Sequence, residues 1–265
     1  SSPYGAVSHS HGDQNAFVLH AFGQPLAIQS GYYVGFWSDM HIQWRRQTKS
    51  KNAVLIDGIG QFAEMQKNNV AEALNGSGKS QYQALIGSNG KIEACEQLER
   101  YCYIRGDALN AYQKANPQVK CAKRHVLFVA ESVFVIIDEI STAQKANVDW
   151  LLHGLAKFQL LDNECHLQQE DVNLKVLFGG EQMKLSQTCI FDGVPEEETA
   201  EMPMQWHLKA TTAQPAEVHT IVSLLYPYKT SQELPLQFVG ESGMRFSFDG
   251  TLYNLTREGE QYRLL

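Results

Sequence analysis

Apolar and polar residues alternate through most of this chain, and alternation sends successive side chains to opposite faces of an extended strand. "AFVLHAF" (16–22) and "PLAIQSGYYV" (25–34) flank "GQP" and predict a hairpin. "NAVLIDGIGQ" (52–61) predicts a strand running into a glycine turn. "RHVLFVA" (124–130), "ES" and "VFVIIDEI" (133–140) predict a hairpin with both arms buried. "VDWLLHGL", "LKVLFGG", "QMKLSQTCIF", "MQWHLKA" and "HTIVSLLYPY" continue the series. Near the end, "MRFSF" and "TLYNLT" flank an Asp-Gly pair, the turn that suits a two-residue hairpin with positive φ at both centres. Helical patterns are few: "GQFAEMQKNNVAEALNG" (60–76) and "GDALNAYQKANP" (106–117), the second closed by a proline. Closely spaced strands without long helices between them predict an all-β fold, an antiparallel β-sandwich of stacked sheets with a few short helices, as one domain over 1–265. "GVPEEETAE" (193–201) reads as a solvated acidic turn.

Composition refines this. The 265 residues are 43% hydrophobic, with 11 Tyr, 12 Phe and 4 Trp to fill a β-rich core. A formal charge of −7 argues against a general nucleic-acid binder, yet leaves room for a local basic patch and an anionic ligand. The apolar runs are too short to span a membrane. Five cysteines without a CxxC pair read as free thiols. The chain opens at Ser1 without a methionine, which suggests a processed chain or a piece of a longer one.

Candidate chemistry concentrates in "SHSHGDQN" (8–15). In an extended chain His9, His11, Asp13, Asn15, Phe17 and Leu19 would share one face, polar first and apolar after. That is the pattern of a strand leaving a core for a cleft. Three readings stand at this point: a hydrogen-bonded polar loop, a metal site with two imidazoles and a carboxylate, or catalysis and binding by imidazole.

The order "SSPYGAVSHSHGDQNAFVLHAFGQPLAIQSGYY", "WRRQTKSKNAVLIDGIGQ", "RHVLFVAESVFVIIDEI", "WLLH" resembles the heparinase II/III-like C-terminal domain of polysaccharide lyases. The run from Ser2 to Gln61 is most similar to polysaccharide lyase family 15, the exo-acting oligoalginate lyases. The resemblance implies a β-sandwich preceded, in the whole enzyme, by a helical (α/α) toroid. It implies β-elimination on an acidic oligosaccharide or polysaccharide, alginate favoured, in the periplasm or outside the cell. Carried over, His9 is the catalytic histidine of the cleft. His11 matches a position that in some relatives belongs to a structural zinc site, together with an aspartate and a second histidine. Those two positions here are Gln29 and Lys51, neither of them a suitable ligand. The expectation is therefore no metal and no cofactor, with His11, Gln29 and Lys51 forming a polar cluster in which the ammonium stands where relatives hold the cation. Asp13, Asp39 and His41 are the residues that could rebuild a metal site.

Tyr4, Gln14, Asn15, Tyr32, Arg45 and Arg46 are candidate substrate contacts, with one of the two arginines expected to face the cleft. Tyr32, Tyr33 and Trp37 can form a sugar-stacking face, with at least one of them buried. His153 in "WLLHG" reads as structural. The rival functional reading is a non-catalytic carbohydrate-binding β-sandwich.

Overall fold

A computed structural model of the chain describes residues 11–61 and 89–265. The first elements are a hairpin of β1 (Leu19–Ala21) and β2 (Gln24–Ala27). Its two-residue turn places Phe22 at φ 52° and Gly23 at φ 80°, the left-handed pair that matches strand twist. A π-helical turn (Met40–Arg45) and a single tighter turn (Thr48–Ser50) lead into β3 (Val54–Ile56). Then come β4 (Lys91–Gln97), β5 (Tyr101–Asp107), α1 (Leu109–Ala115), β6 (Val119–Val129), β7 (Val133–Ala146) and β8 (Val148–Gly154). β9 (Gln159–Leu161), β10 (Glu164–Gln169), β11 (Val172–Gly179), β12 (Met183–Thr188), β13 (Trp206–Thr212) and β14 (Ala216–Lys229) follow. β15 (Leu236–Phe238), β16 (Arg245–Phe248), β17 (Thr251–Glu258) and β18 (Gln261–Leu264) close the chain.

An eight-stranded antiparallel sheet, ordered β4-β5-β6-β7-β14-β11-β10-β9, carries a smaller sheet on each face. One face packs against β12-β13-β8-β3, the other against β15-β16-β17-β18. Alternate residues of the middle strands serve the two interfaces. Ile136, Ile140, Ile221 and Leu225 meet Val148, Trp150, Leu152 and Leu208. Their neighbours Val135, Ile137, Val222 and Leu224 meet Phe246, Phe248, Tyr253 and Leu264. Double coverage explains why "VFVIID" and "IVSLLYPY" lack polar alternation. Each fully buried Leu, Ile or Val stabilises the fold by about 1.5–3 kcal/mol. Pro227 is tolerated in β14 because the pairing with β7 ends at Leu225, and Pro227 faces only Leu174 of β11.

The antiparallel β-sandwich class, the β6–β7 hairpin and α1 agree with the sequence pattern. The Asp249-Gly250 turn does too, with φ 47° and 74° between Phe248 and Thr251. Three expectations change. The strand expected over 25–34 ends at Ala27, because Ile28 N donates to His153 O (2.9 Å) and Ser30 N to Ser50 O (3.0 Å), which draws the chain into a loop. The shared face from His11 to Asn15 is replaced by a turn, with Ala16 N donating to Asp13 O (3.1 Å) and Asn15 at φ 59°. The acidic "PEEET" segment is more than a solvated turn, since Glu198 caps the π-helical turn by accepting from Met40 N (2.8 Å) and Asp39 N (3.2 Å). The pattern at 60–76 lies almost wholly outside the described residues. No helix among those described is long and apolar enough to cross a membrane. All five cysteines are free thiols.

Candidate functional site

The site rests on a buried ion pair between strands β6 and β7. Arg124 and Asp138 face each other across that hairpin and meet in a fork, Nε to Oδ1 at 2.7 Å and Nη2 to Oδ2 at 3.0 Å. Trp150 Nε1 donates to the same carboxylate at 3.1 Å. The remaining guanidinium nitrogen, Nη1, donates to Asn15 O and to Asn52 O, both at 2.8 Å. One arginine thus fastens the two loops that carry the candidate residues. Asn52 continues the work: its amide donates to Phe17 O (2.8 Å) and Ile28 O (3.0 Å), and its carbonyl accepts from His153 N (2.8 Å). Gln61 pairs with the backbone of Gln14 in both directions, at 2.7 and 2.8 Å. Gly31, at φ 97°, has no room for a side chain: a Cβ would lie 2.6 Å from the Arg45 side chain and 2.7 Å from that of Trp44.

On this frame His11, Gln29 and Lys51 come together from three separate segments. Lys51 Nζ lies 3.1 Å from His11 Nδ1 and donates a short hydrogen bond to Arg45 O. Gln29 Nε2 lies 3.2 Å from the same imidazole nitrogen. Lys51 is only 2% exposed. Burial pulls its ammonium down to about 7, helped by Arg45 and opposed by Asp13. Burial also pulls His11 down to about 3, and the cations Lys51, Arg45 and Arg46 add to the effect. Asp13 is pushed up by burial, partly offset by Lys51. Beside the cluster, Asp13, Gln29, Lys51 and Asn52 line a cavity of about 190 Å³ whose other wall is Ala16, Phe17 and Val18.

Beneath it lies a second group of histidines that sequence reasoning did not assemble. His153 of β8 and His207 of β13 face each other in register, with Nδ1 atoms 3.0 Å apart. His153 Nε2 lies 3.2 Å from Lys51 O, an acceptor, so the proton sits on Nε2 and Nδ1 accepts from His207. Burial holds both rings neutral: His153 is well below its ordinary value, with His207 contributing, and His207 falls to about 4. Trp44 Nε1 donates to Ser30 Oγ (3.0 Å), and Ser30 Oγ donates to Gln205 Oε1 (2.9 Å). That chain ties the loop of Ser30 to the segment entering β13.

The other predicted residues fall as follows. Arg45 reaches the outer face, its guanidinium 5.4 Å from the centre of the Tyr33 ring. Arg46 is buried at 1% exposure, and its carbonyl accepts from Gly12 N. Gln14 is buried with its carbonyl accepting from Gly90 N (3.1 Å), and Asn15 donates to Gly106 O (3.1 Å). Tyr32 donates to Pro203 O (2.8 Å) and packs edge-on against Phe191. Tyr33 and Trp37 are exposed and Tyr32 is half-buried, so none of the three aromatics enters the core as expected. His9 and Tyr4 lie outside the described residues.

The donors do not suit a metal. An ammonium occupies the position beside His11 Nδ1, and Gln29 offers its amide N–H there. His41 packs its ring on Tyr33 and Phe36 and lies edge-on to His11, with ring centres 5.9 Å apart. Among the described residues no group of three His, Cys, Asp or Glu side chains is gathered as metal ligands.

The chain belongs to the heparinase II/III-like family: the sequence profile of its C-terminal domain matches residues 1–242. The heparan sulfate lyase HepC from Pedobacter heparinus shares the fold with a TM-score of 0.65 at 14% identity, over 97% of this chain and 37% of that one. A heparinase III, the BT4657 gene product, matches with a TM-score of 0.63 at 16% identity, over 96% of this chain and 36% of that one. A further heparinase III structure matches at 0.60 and 13%, over 92% and 36%. The chain thus spans little more than a third of those enzymes, and at these identities the likeness shows the fold. No curated protein matches the chain. The family expectation holds, whereas these neighbours carry heparan sulfate lyase and heparinase names rather than that of the oligoalginate group.

Proposed function

We propose that this chain is the β-sandwich part of a polysaccharide lyase that cleaves a uronic-acid-containing polysaccharide or oligosaccharide by β-elimination. The observation that carries the reading is electrostatic. In a chain of net charge −7, Lys51, Arg45 and Arg46 surround one neutral imidazole, and Asp13 is the carboxylate that acts on Lys51. Such a surface attracts an anion and matches the need of the reaction. The uronate carboxylate must be neutralised before the proton on C5 becomes acidic. A base removes that proton, the electron pair forms the C4–C5 double bond, and O4 departs with a proton. Arg45, beside the exposed Tyr33, would meet a carboxylate while that ring and the exposed Trp37 meet sugar faces. Gln14 and Arg46 are buried, which moves the proposed contacts toward Arg45 and Tyr33. His9 keeps the catalytic role by resemblance. The partners are an acidic glycan and an N-terminal helical domain that completes the cleft. No cofactor enters the reaction, and the location is periplasmic or extracellular. Alginate is favoured by the likeness of Ser2 to Gln61 to oligoalginate lyases, with heparan sulfate as the competing substrate.

The test is the near-ultraviolet absorbance of the unsaturated product, followed in the full-length protein with alginate, heparan sulfate and chondroitin oligosaccharides. Activity on one of them, abolished in His9→Ala with folding intact, is expected. Binding without unsaturated product on all three would instead favour the carbohydrate-binding module, for which Tyr33 and Trp37 are the supporting observation.

A further inference from the structure

His11 stands in an unusual position. Its Nδ1 has a single in-plane lone pair, and two nitrogens converge on it, Lys51 Nζ at 3.1 Å and Gln29 Nε2 at 3.2 Å. An ammonium has no lone pair, so it cannot accept from an Nδ1–H. Gln29 could turn its carbonyl inward, but Lys51, as the ammonium that predominates below about pH 7, cannot reverse its role. Lys51 is itself held in place, donating to Arg45 O from a site that is almost fully buried. Among the described residues no hydrogen bond is made at His11 Nε2, and the ring is partly exposed.

We propose that Lys51 is a positioning residue that locks His11 as its neutral Nε2–H tautomer, so that the imidazole presents a fixed hydrogen-bond donor and has no free nitrogen for a metal or a proton. The role follows from three segments meeting at one nitrogen rather than from the activity of the whole protein. It departs from the zinc site that the resemblance implies for some relatives, where an aspartate and a second histidine stand at the positions of Gln29 and Lys51. A tethered ammonium supplies the positive charge and a directional N–H together. It also dictates the hydrogen-bond sense of whatever binds at Nε2, which must be an acceptor such as a carboxylate or a sugar oxygen.

The direct test is histidine-selective ¹⁵N NMR of the full-length protein at pH 6. In the unaltered protein His11 Nδ1 should show the unprotonated signature and Nε2 the protonated one, with a tautomer preference of roughly tenfold or more from two donors. Lys51→Met should lower that preference several-fold. Lys51→Ala opens the site to the 190 Å³ cavity, so added methylammonium should restore the preference, which loss of packing alone would not allow. The unaltered protein decides the tautomer even if both variants fail to fold. A protonated Nδ1, an unlocked mixture, or stoichiometric zinc bound through His11 would overturn the proposal, as would a Lys51→Met spectrum identical to that of the unaltered protein.

Discussion

The two interfaces of the central sheet bury similar polar residues and arrange them in opposite ways. On the side of β15–β18, His125 lies between Tyr103 (2.8 Å) and Glu139 (3.3 Å). Tyr262 donates to Glu139 at 2.9 Å, and Arg257 pairs with it at 2.9 Å. Burial would raise Glu139, but the hydrogen bonds from His125 and Tyr262 outweigh it and hold the carboxyl low. Each charge there finds a partner. On the side of β3, β8 and β13, His153 and His207 meet each other, the Lys51 carbonyl and the Ser30 hydroxyl, with no carboxylate among those partners, while Lys51 and Arg45 stand near one carboxyl that burial pushes toward the neutral form. The closed network fixes one sheet to another. The open one leaves unbalanced positive charge beside exposed aromatic rings, the surface on which the proposed recognition of an acidic glycan would depend.

Acid should separate the two interfaces most strongly. His153 and His207 bind fewer protons folded than unfolded between their lowered folded values and the ordinary 6.5. Stability is therefore full above pH 6.5 and falls as the pH drops toward about 4, by about 1.4 kcal/mol per pH unit for each ring. Two rings give a loss of roughly 5 kcal/mol over two units. Denaturant melts at pH 6.5 and 4.5 measure it together with the loss from His11, which is lowered to about 3 and acts in the same window, so His207→Phe should flatten the slope by about a third. An unchanged slope would mean that the pair is not neutral in the fold.

Next in size is Arg124→Met, which strands Asp138 in the core and releases the carbonyls of Asn15 and Asn52. The expected cost is about 3–5 kcal/mol, read as a lowered melting midpoint with faster amide exchange over 13–17 and 52. Glu139→Gln on the opposite interface should cost about 1.5–3 kcal/mol. It should leave turnover of the full-length protein unchanged, because that network faces away from His11. Equal loss of turnover in both variants would show that the two interfaces are not functionally distinct.

Much of this arrangement was legible in the chain, for definable reasons. The hairpins could be read because turn chemistry and alternation are local, as at Asp249-Gly250. The gathering of His11, Gln29 and Lys51 followed from a family pattern, since nothing local joins positions 11 and 51. The Arg124–Asp138 pair was within reach, for the "ES" hairpin sets those residues opposite each other. It went unread because "VFVIIDEI" registers first as an apolar run. His153 and His207 were beyond reach, as their meeting depends on the register of β8 against β13. The burial of Arg46 and Gln14 was not legible, because polar type predicts exposure and burial here is set by the loops around Asn52 and Gln61. That one of the two arginines is buried agrees with the expectation that one of them faces outward.

The smallest expected effect bears directly on the open side. Tyr33 is 61% exposed and touches the Arg45 guanidinium through its ring face. Its removal in Tyr33→Ala takes little from the core, so stability should change by less than about 0.5 kcal/mol. The cation–π contact at an exposed site contributes about 0.5–1 kcal/mol. Its loss frees the arginine and removes a sugar-facing ring, so binding of an oligouronate by the full-length protein should weaken by roughly threefold to fivefold. Calorimetric titration beside Tyr33→Phe separates the causes, because Phe keeps the ring face and should retain most of the affinity. If Tyr33→Ala binds as well as the unaltered protein, the glycan does not cross this face, and the unbalanced charge around His11 must be approached from the cavity beside Phe17 instead.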